Sequence, residues 1–156
     1  MIVEEGLEID VPVSAASARI SHALQSDGLE EQLTAGVTEV HETLFRAGIP
    51  GVTKAVHLST LPARIIDDTV IIAIRWESIG PASELFPSLD ADLTLSRSDG
   101  TQTRLTLVGS YRPPLGRVGA ALDRAMLHRV AQATMRNFLK QLAEIATSPV
   151  PVTESA

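Results

Sequence analysis

The sequence predicts an α+β fold in which a curved antiparallel β-sheet wraps around a long C-terminal α-helix. Segments that alternate apolar and polar residues follow one another from residue 53 to residue 112, a pattern typical of antiparallel strands. Residues 117–146 contain no proline and carry a broad apolar stripe at helical spacing, which indicates one long helix that packs on a sheet. A chain of 156 residues fits a single domain, which we place at residues 1–146, followed by a flexible tail at residues 147–156.

The composition is that of a folded globular protein. Hydrophobic residues make up 44% of the chain and charged residues 21%, which excludes intrinsic disorder. Charged residues interrupt every apolar run before it reaches the roughly 18 residues that a membrane span needs. The first residues, MIVEEG, are acidic where a secretory signal is basic, and the chain has no cysteine. We therefore expect a cytoplasmic protein without a membrane span.

Several classes of site are excluded by charge or by motif. The formal net charge of −6 argues against nucleic-acid binding, because affinity for phosphates requires a basic surface. His41 and Glu42 begin like a zincin motif, but Phe45 stands where the second histidine is required, so no metal site is predicted. The sequence has no phosphate-binding or dinucleotide-binding glycine motif, and we expect no cofactor.

The N-terminal third predicts one strand and two helices. Residues 7–13 alternate apolar and polar side chains, with Pro12 marking a strand end or an edge strand. Ser14 is the predicted N-cap of a short helix that ends at about Gln25. A longer second helix is predicted at residues 27–48 from its apolar spacing.

The middle of the chain predicts a series of short strands. Residues 53–60 and 63–66 are separated by Pro62, and a two-residue Asp-Asp turn follows at 67–68. Residues 69–78 are rich in β-branched side chains, which favours a strand.

A hairpin is predicted next in the chain. Residues 88–97 and residues 102–111 both alternate apolar and polar side chains. Asp99 and Gly100 lie between them and suit a type I′ turn, because both residue types tolerate positive φ angles.

We expect the inward-facing residues of these strands and the apolar stripe of the long helix to form the wall of a ligand site together. Trp76 and Tyr111 are the last inward-facing residues of the strands predicted at 69–78 and 102–111. We therefore expect both rings near the mouth of the cup formed by sheet and helix. A simple role in core packing suits the same two rings equally well. The candidate ligand-binding residues are Ile72, Ile74, Trp76, Leu93, Leu107, Tyr111, Met126, Val130, Thr134 and Phe138.

Two segments resemble the START-like superfamily, also called SRPBCC or helix-grip. Residues 7–24 read LEIDVPVSAASARISHAL and are similar to the opening strand and first helix of that superfamily. Residues 89–146, LDADLTLSRSDGTQTRLTLVGSYRPPLGRVGAALDRAMLHRVAQATMRNFLKQLAEIA, resemble its closing hairpin, its tyrosine and proline corner and its gripping helix. The resemblance implies a helix-grip fold with two shorter helices near the N-terminus. Residues 28–48 depart from it, because they predict helix where many members have strands.

The resemblance leaves three functions open, because its motifs are structural and a fold does not fix a function. The first is binding or carriage of a small hydrophobic or amphipathic molecule. The second is an enzyme like the polyketide cyclases and dehydratases, in which Tyr111, His128 or Arg112 would polarise a carbonyl or move a proton. The third is a protein-interaction module like the co-chaperone members, with a filled core. The sequence identifies neither the ligand nor any reaction, and it leaves a homodimer open.

Overall fold

The computed structural model describes residues 1–25, 56–78, 88–112 and 124–148. These residues form six strands and two helices, which confirms the predicted α+β class. In chain order they are β1 (Ile2–Ile9), α1 (Val13–Leu24), β2 (Val56–Thr60), β3 (Arg64–Ile66), β4 (Thr69–Ser78), β5 (Ser88–Arg97), β6 (Thr103–Arg112) and α2 (Arg124–Thr147).

Four predictions lie wholly or partly outside the described residues. The second helix predicted at 27–48 lies there entirely, as do the first residues of the strand predicted at 53–60, the beginning of the long helix and most of the tail. Within the described ranges, no helix is both long enough and apolar enough to cross a membrane.

The six strands form one antiparallel sheet in the order β1-β6-β5-β4-β2, and β3 also pairs with β4. β2 lies along the second half of β4, and β3 lies along its first three residues. Between β2 and β3, Leu61 N still donates to Ala73 O at 3.0 Å, whereas Pro62 has no N–H to donate. The predicted interruption at Pro62 is therefore confirmed.

Both helices pack on one face of the sheet, which we call the inner face. α2 contacts β1, β6 and α1, and α1 contacts β5. Arg19 of α1 donates from Nη1 to the carbonyl oxygen of Ala146 at 2.5 Å, near the C-terminal end of α2. A cation is favourable at that end because the last carbonyl groups of a helix lack intrahelical partners.

The predicted alternation of inward and outward residues is confirmed in β4, β5 and β6. Every second residue of these strands is buried on the inner face, and the residues between them are half-buried or exposed. The buried residues are Val70, Ile72, Ile74, Trp76, Leu89, Ala91, Leu93, Leu95, Thr103, Leu105, Leu107, Gly109 and Tyr111.

The first strand and helix differ from the prediction in their bounds. β1 begins at Ile2 and ends at Ile9, whereas the alternation had placed the strand at residues 7–13. The predicted cap at Ser14 is wrong, because α1 already begins at Val13 with Pro12 as its N-cap residue and no side-chain cap. The carbonyl of Pro12 accepts the first helical hydrogen bond, from Ala16 N at 3.0 Å.

The hairpin turn also differs from the predicted type I′. Gly100 has a φ of +50°, but Asp99 is not among the described residues with positive φ. Gln102 N donates to Asp99 O at 2.7 Å, so Gly100 is the first central residue of the turn, which is the pattern of type II′. The two positive φ angles of a type I′ turn occur instead at Asp67 and Asp68, between β3 and β4.

Candidate functional site

The register of β4, β5 and β6 arranges the predicted site residues in three neighbouring rows across the inner face. Trp76 and Tyr111 lie in the first row, on either side of Leu89. Ile74 lies in the second row with Ala91 and Gly109. The third row consists of three further candidates, Ile72, Leu93 and Leu107. Alternation along each strand was enough to find these positions, but only the register shows that they are adjacent.

The middle row contributes little side-chain bulk. Ala91 pairs directly with Gly109, and a Cβ atom added to Gly109 would overlap the carbonyl oxygen of Asp90 and the side chain of Ala91. β5 and β6 therefore approach too closely here for any larger residue. Because a strand glycine often marks such a close approach, Gly109 carried a usable signal that the sequence analysis missed.

Two candidates from α2 face this part of the sheet. Thr134 and Phe138 are one helical turn apart and are both buried. The ring centroids of Phe138 and Trp76 are 6.4 Å apart with an angle of 53° between the planes, a tilted contact that is favourable for aromatic pairs. Met126 and Val130 belong to α2, but their side chains lie outside what the structure describes.

The eight candidate side chains that are described are closely packed. Each is at most 4% exposed, and the seven apolar or aromatic ones belong to a single core cluster. Trp76 and Tyr111 were expected either near the mouth of the cup or packed in the core, and exposed fractions of 4% and 1% place both rings in the core. The ring of Phe138 packs on Trp76, so this end of the inner face is filled by the protein's own aromatic side chains.

A pair of hydroxyl groups interrupts this apolar surface. Tyr111 Oη is buried and makes no hydrogen bond of acceptable geometry within the described part of the chain. Burial raises the pKa of Tyr111 well above its ordinary range, and the neighbouring side chain of Thr134 offsets that rise only in part. The phenol therefore keeps its proton at neutral pH and can act as a hydrogen-bond donor.

The other two residues of the enzyme hypothesis do not join Tyr111. Arg112 lies on the outer face with a side chain that is 73% exposed, and its Nη2 is 3.9 Å from Asp90 Oδ2. His128 is exposed on α2. The structure therefore brings Tyr111 together with Thr134 and not with a charged or readily titrated group among these candidates.

The outer face carries a groove that the sequence analysis did not predict. It has a volume of about 650 Å³ and is lined by residues of β1, β2, β4, β5 and β6, including Ala73, Asp92 and Ser110. Two of its lining residues, Ile2 and Val108, are 70% and 39% exposed. The apolar side chains of Ile2 and Val108 at outward positions were the available signal for this groove.

Acidic and histidine side chains do not form a metal site in the described ranges, where no group of three or more could hold an ion. Arg75 Nε and Asp90 Oδ1 form an ion pair at 2.7 Å on the outer face. Because both side chains are largely exposed to solvent, this pair contributes little to stability.

Comparison with known proteins identifies the fold and leaves the function open. No protein-family model matches the sequence, and a search of curated proteins finds no match. A conserved protein from Geobacillus kaustophilus is similar in structure, with a TM-score of 0.55 and 17% identity over 95% of this chain and 97% of that chain.

Two further structures are similar at lower scores. The Zhui aromatase/cyclase from Streptomyces sp. R1128 aligns with a TM-score of 0.41 and 12% identity, over 94% of this chain and 91% of that chain. The lipid transfer and protein localization domain of human StarD13 aligns with a TM-score of 0.36 and 9% identity, over 96% of this chain and 78% of that chain. Similarity at this level does not extend to function.

Proposed function

We propose that the chain, in which α2 packs on an antiparallel sheet as the resemblance to the START-like superfamily implies, binds a small hydrophobic or amphipathic molecule. The proposed site lies between α2 and the three rows of the inner face. Its wall consists of Trp76, Tyr111 and Phe138 around the small Ala91–Gly109 row.

The convergence of these three aromatic residues is the observation that carries the proposal. Trp76 and Tyr111 occupy the same row, and Phe138 packs on Trp76 from α2. Ligand sites are mostly apolar and aromatic with a few well-placed polar groups, and the hydroxyl of Tyr111 supplies such a group.

Occupation of this site requires a rearrangement of side chains. The wall residues are almost completely buried against one another, so a ligand has to replace some of their mutual contacts. Changes of side-chain rotamer on binding are common in proteins. We place the ligand between Phe138 and Trp76. There the apolar surface of a ligand can take the place of the contact that each ring now makes with the other.

Native mass spectrometry of the freshly purified protein tests this proposal. The expected result is a second species, heavier by the mass of one small molecule, that disappears after unfolding and extraction with organic solvent. The mass and the extracted compound then identify the ligand class. If only the bare chain is found, and if the extracted protein takes up no member of a panel of fatty acids, sterols and aromatic polyketides, the proposal fails.

A protein-interaction module with a filled core is the second candidate. The burial of every described wall side chain to 4% exposure or less favours it, because a packed core has almost no voids. The same mass-spectrometry experiment distinguishes the two candidates, since a filled core retains no small molecule. Cytoplasmic location stays a prediction from the sequence, which leaves a homodimer open.

A further inference from the structure

Two buried polar side chains in the described ranges differ in how their hydroxyl groups are satisfied. Thr103 Oγ1 donates to the carbonyl oxygen of Val11 at 2.5 Å, which ties the connection between β1 and α1 to β6. Tyr111 Oη is equally buried but has no hydrogen bond of acceptable geometry in the described part of the chain. The neighbouring polar side chain is Thr134 of α2, which is 2% exposed and lowers the pKa of Tyr111 slightly against the larger effect of burial.

An unsatisfied buried hydroxyl is costly to keep. Most buried polar groups in native proteins have a hydrogen-bond partner, and exceptions call for an explanation. Phenylalanine would fill nearly the same space at residue 111 without leaving a hydroxyl unsatisfied. The hydroxyl of Tyr111 therefore indicates a partner that binds at this position.

The chemistry of the hydroxyl limits what that partner can be. The phenol of Tyr111 keeps its proton because burial disfavours the charged phenolate. Its O–H group is therefore a hydrogen-bond donor, and the partner must supply an acceptor oxygen. A carboxylate is a poor acceptor here, because a buried charge needs a cation beside it. Arg112, which follows Tyr111 directly, lies on the opposite face, and Arg136 of α2 is engaged by Glu5, with Nη2 at 3.2 Å from Oε1.

We propose that the hydroxyl of Tyr111, beside Thr134, binds a neutral carbonyl oxygen of the ligand. The ligand class is then an apolar molecule that carries a ketone or ester oxygen, as opposed to a pure hydrocarbon or a free fatty acid. This inference rests on the proposed function. It adds the polar contact that orients the ligand against the rings of Trp76 and Phe138.

The test is a comparison of two ligands that differ at one oxygen. 1-Acetonaphthone carries a ketone, and 1-ethylnaphthalene has nearly the same shape without it. Isothermal titration calorimetry with the whole chain should give tighter binding of the ketone by about five- to tenfold, the range of one net hydrogen bond. Tyr111→Phe should abolish that preference, so that the two ligands bind with similar affinity.

Thr94→Val is the matched control. Thr94 lies on the outer face of β5 between the inward residues Leu93 and Leu95, so its substitution removes a hydroxyl group without altering the inner face. The control should keep the full preference for the ketone. Equal loss of the preference in Thr94→Val would overturn the assignment to Tyr111.

An infrared measurement covers the case in which Tyr111→Phe does not fold. The carbonyl band of 1-acetonaphthone bound to the unsubstituted chain should shift to lower frequency than in hexane, because a donated hydrogen bond weakens the C=O bond. An unshifted band contradicts the inference. If both ligands bind equally, or if neither binds, the carbonyl contact fails. The proposed function then stands or falls separately, with the native mass spectrometry and the panel of fatty acids, sterols and aromatic polyketides.

Discussion

Tyr111 is the only tyrosine in the chain, so its ionisation can be followed without interference from other phenols. Its pKa is raised in the folded protein, chiefly by burial, while in the unfolded chain it ionises near about 10. The contribution of Tyr111 to stability is therefore fully present below about pH 10 and is lost as the pH rises toward the folded-state value. Urea unfolding between pH 8 and pH 11 should show a falling free energy of unfolding above pH 10.

Tyr111→Phe is the control for this pH dependence. The variant lacks the phenol, so its free energy of unfolding should fall less steeply over the same range. Absorbance at the phenolate wavelength should also show that the tyrosine ionises together with unfolding. A phenolate that forms near about pH 10 in the folded chain would contradict the burial of the hydroxyl.

Gly100 is the residue at which the backbone of the β5–β6 turn requires glycine. Its φ is +50°, and a Cβ atom added there meets no atom within 4 Å, so a substitution acts through the backbone alone. Gly100→Val should lower the free energy of unfolding by more than the roughly 0.5 kcal/mol that is usual for surface changes, because β-branched residues resist positive φ.

Gly100→Asn serves as the matched substitution, since asparagine resists a positive φ less strongly than a β-branched residue does. It should lose clearly less stability than Gly100→Val, as measured by urea unfolding at pH 7. Equal losses in both variants would show that the side chain, and not the φ angle, determines the effect.

At the scale of secondary-structure elements, sequence patterns predicted strands more accurately than turns or helix starts. β4 and β5 have the predicted bounds, and β6 begins one residue late. β-Branched content and alternation are strong there because one face of each strand is buried. The alternation in β1 is weaker, because Glu5 occupies an inward position, where it forms an ion pair with Arg136 of α2. That partner is distant in the sequence, so the beginning of β1 could not be predicted locally.

The pairing of β5 with β6 depends on Gly109. A Cβ atom at this position would lie inside the contact distance of Asp90 and Ala91, which belong to the neighbouring strand. Gly109→Ala should therefore destabilise the protein by about 1–3 kcal/mol, the range for overpacked cores. The free energy of unfolding from urea denaturation measures the effect.

Gly6→Ala in β1 provides the comparison for this substitution. The nearest atom to an added Cβ atom at Gly6 is the carbonyl oxygen of Leu105 at 3.3 Å, which is tight but not overlapping. Gly6→Ala should cost clearly less than Gly109→Ala. If the two costs are the same, the close approach of β5 and β6 does not constrain residue 109.

At the scale of the whole molecule, the sequence predicted which residues lie on the inner face but not how tightly they pack. Alternation places Trp76 and Tyr111 toward the interior, and helical spacing does the same for Phe138. Neither pattern contains information about the space between strands and helix. That space depends on the register, on the row formed by Ala91 and Gly109, and on the position of α2. All three are set by contacts between residues far apart in the chain, so the buried state of the rings could be found only in the structure.

The central claim is that a small apolar molecule binds between α2 and the inner face, and emission from Trp76 tests it most directly. Trp76 is the only tryptophan, and its ring contacts Phe138 at the proposed site. Titration with fatty acids, sterols and aromatic polyketides should change its emission in a saturable way, with one molecule bound per chain, for at least one class. The protein unfolded in guanidinium should show no saturation. If the emission of the folded chain stays unchanged across the whole panel, the inner face is a filled core and the ligand-binding account is wrong.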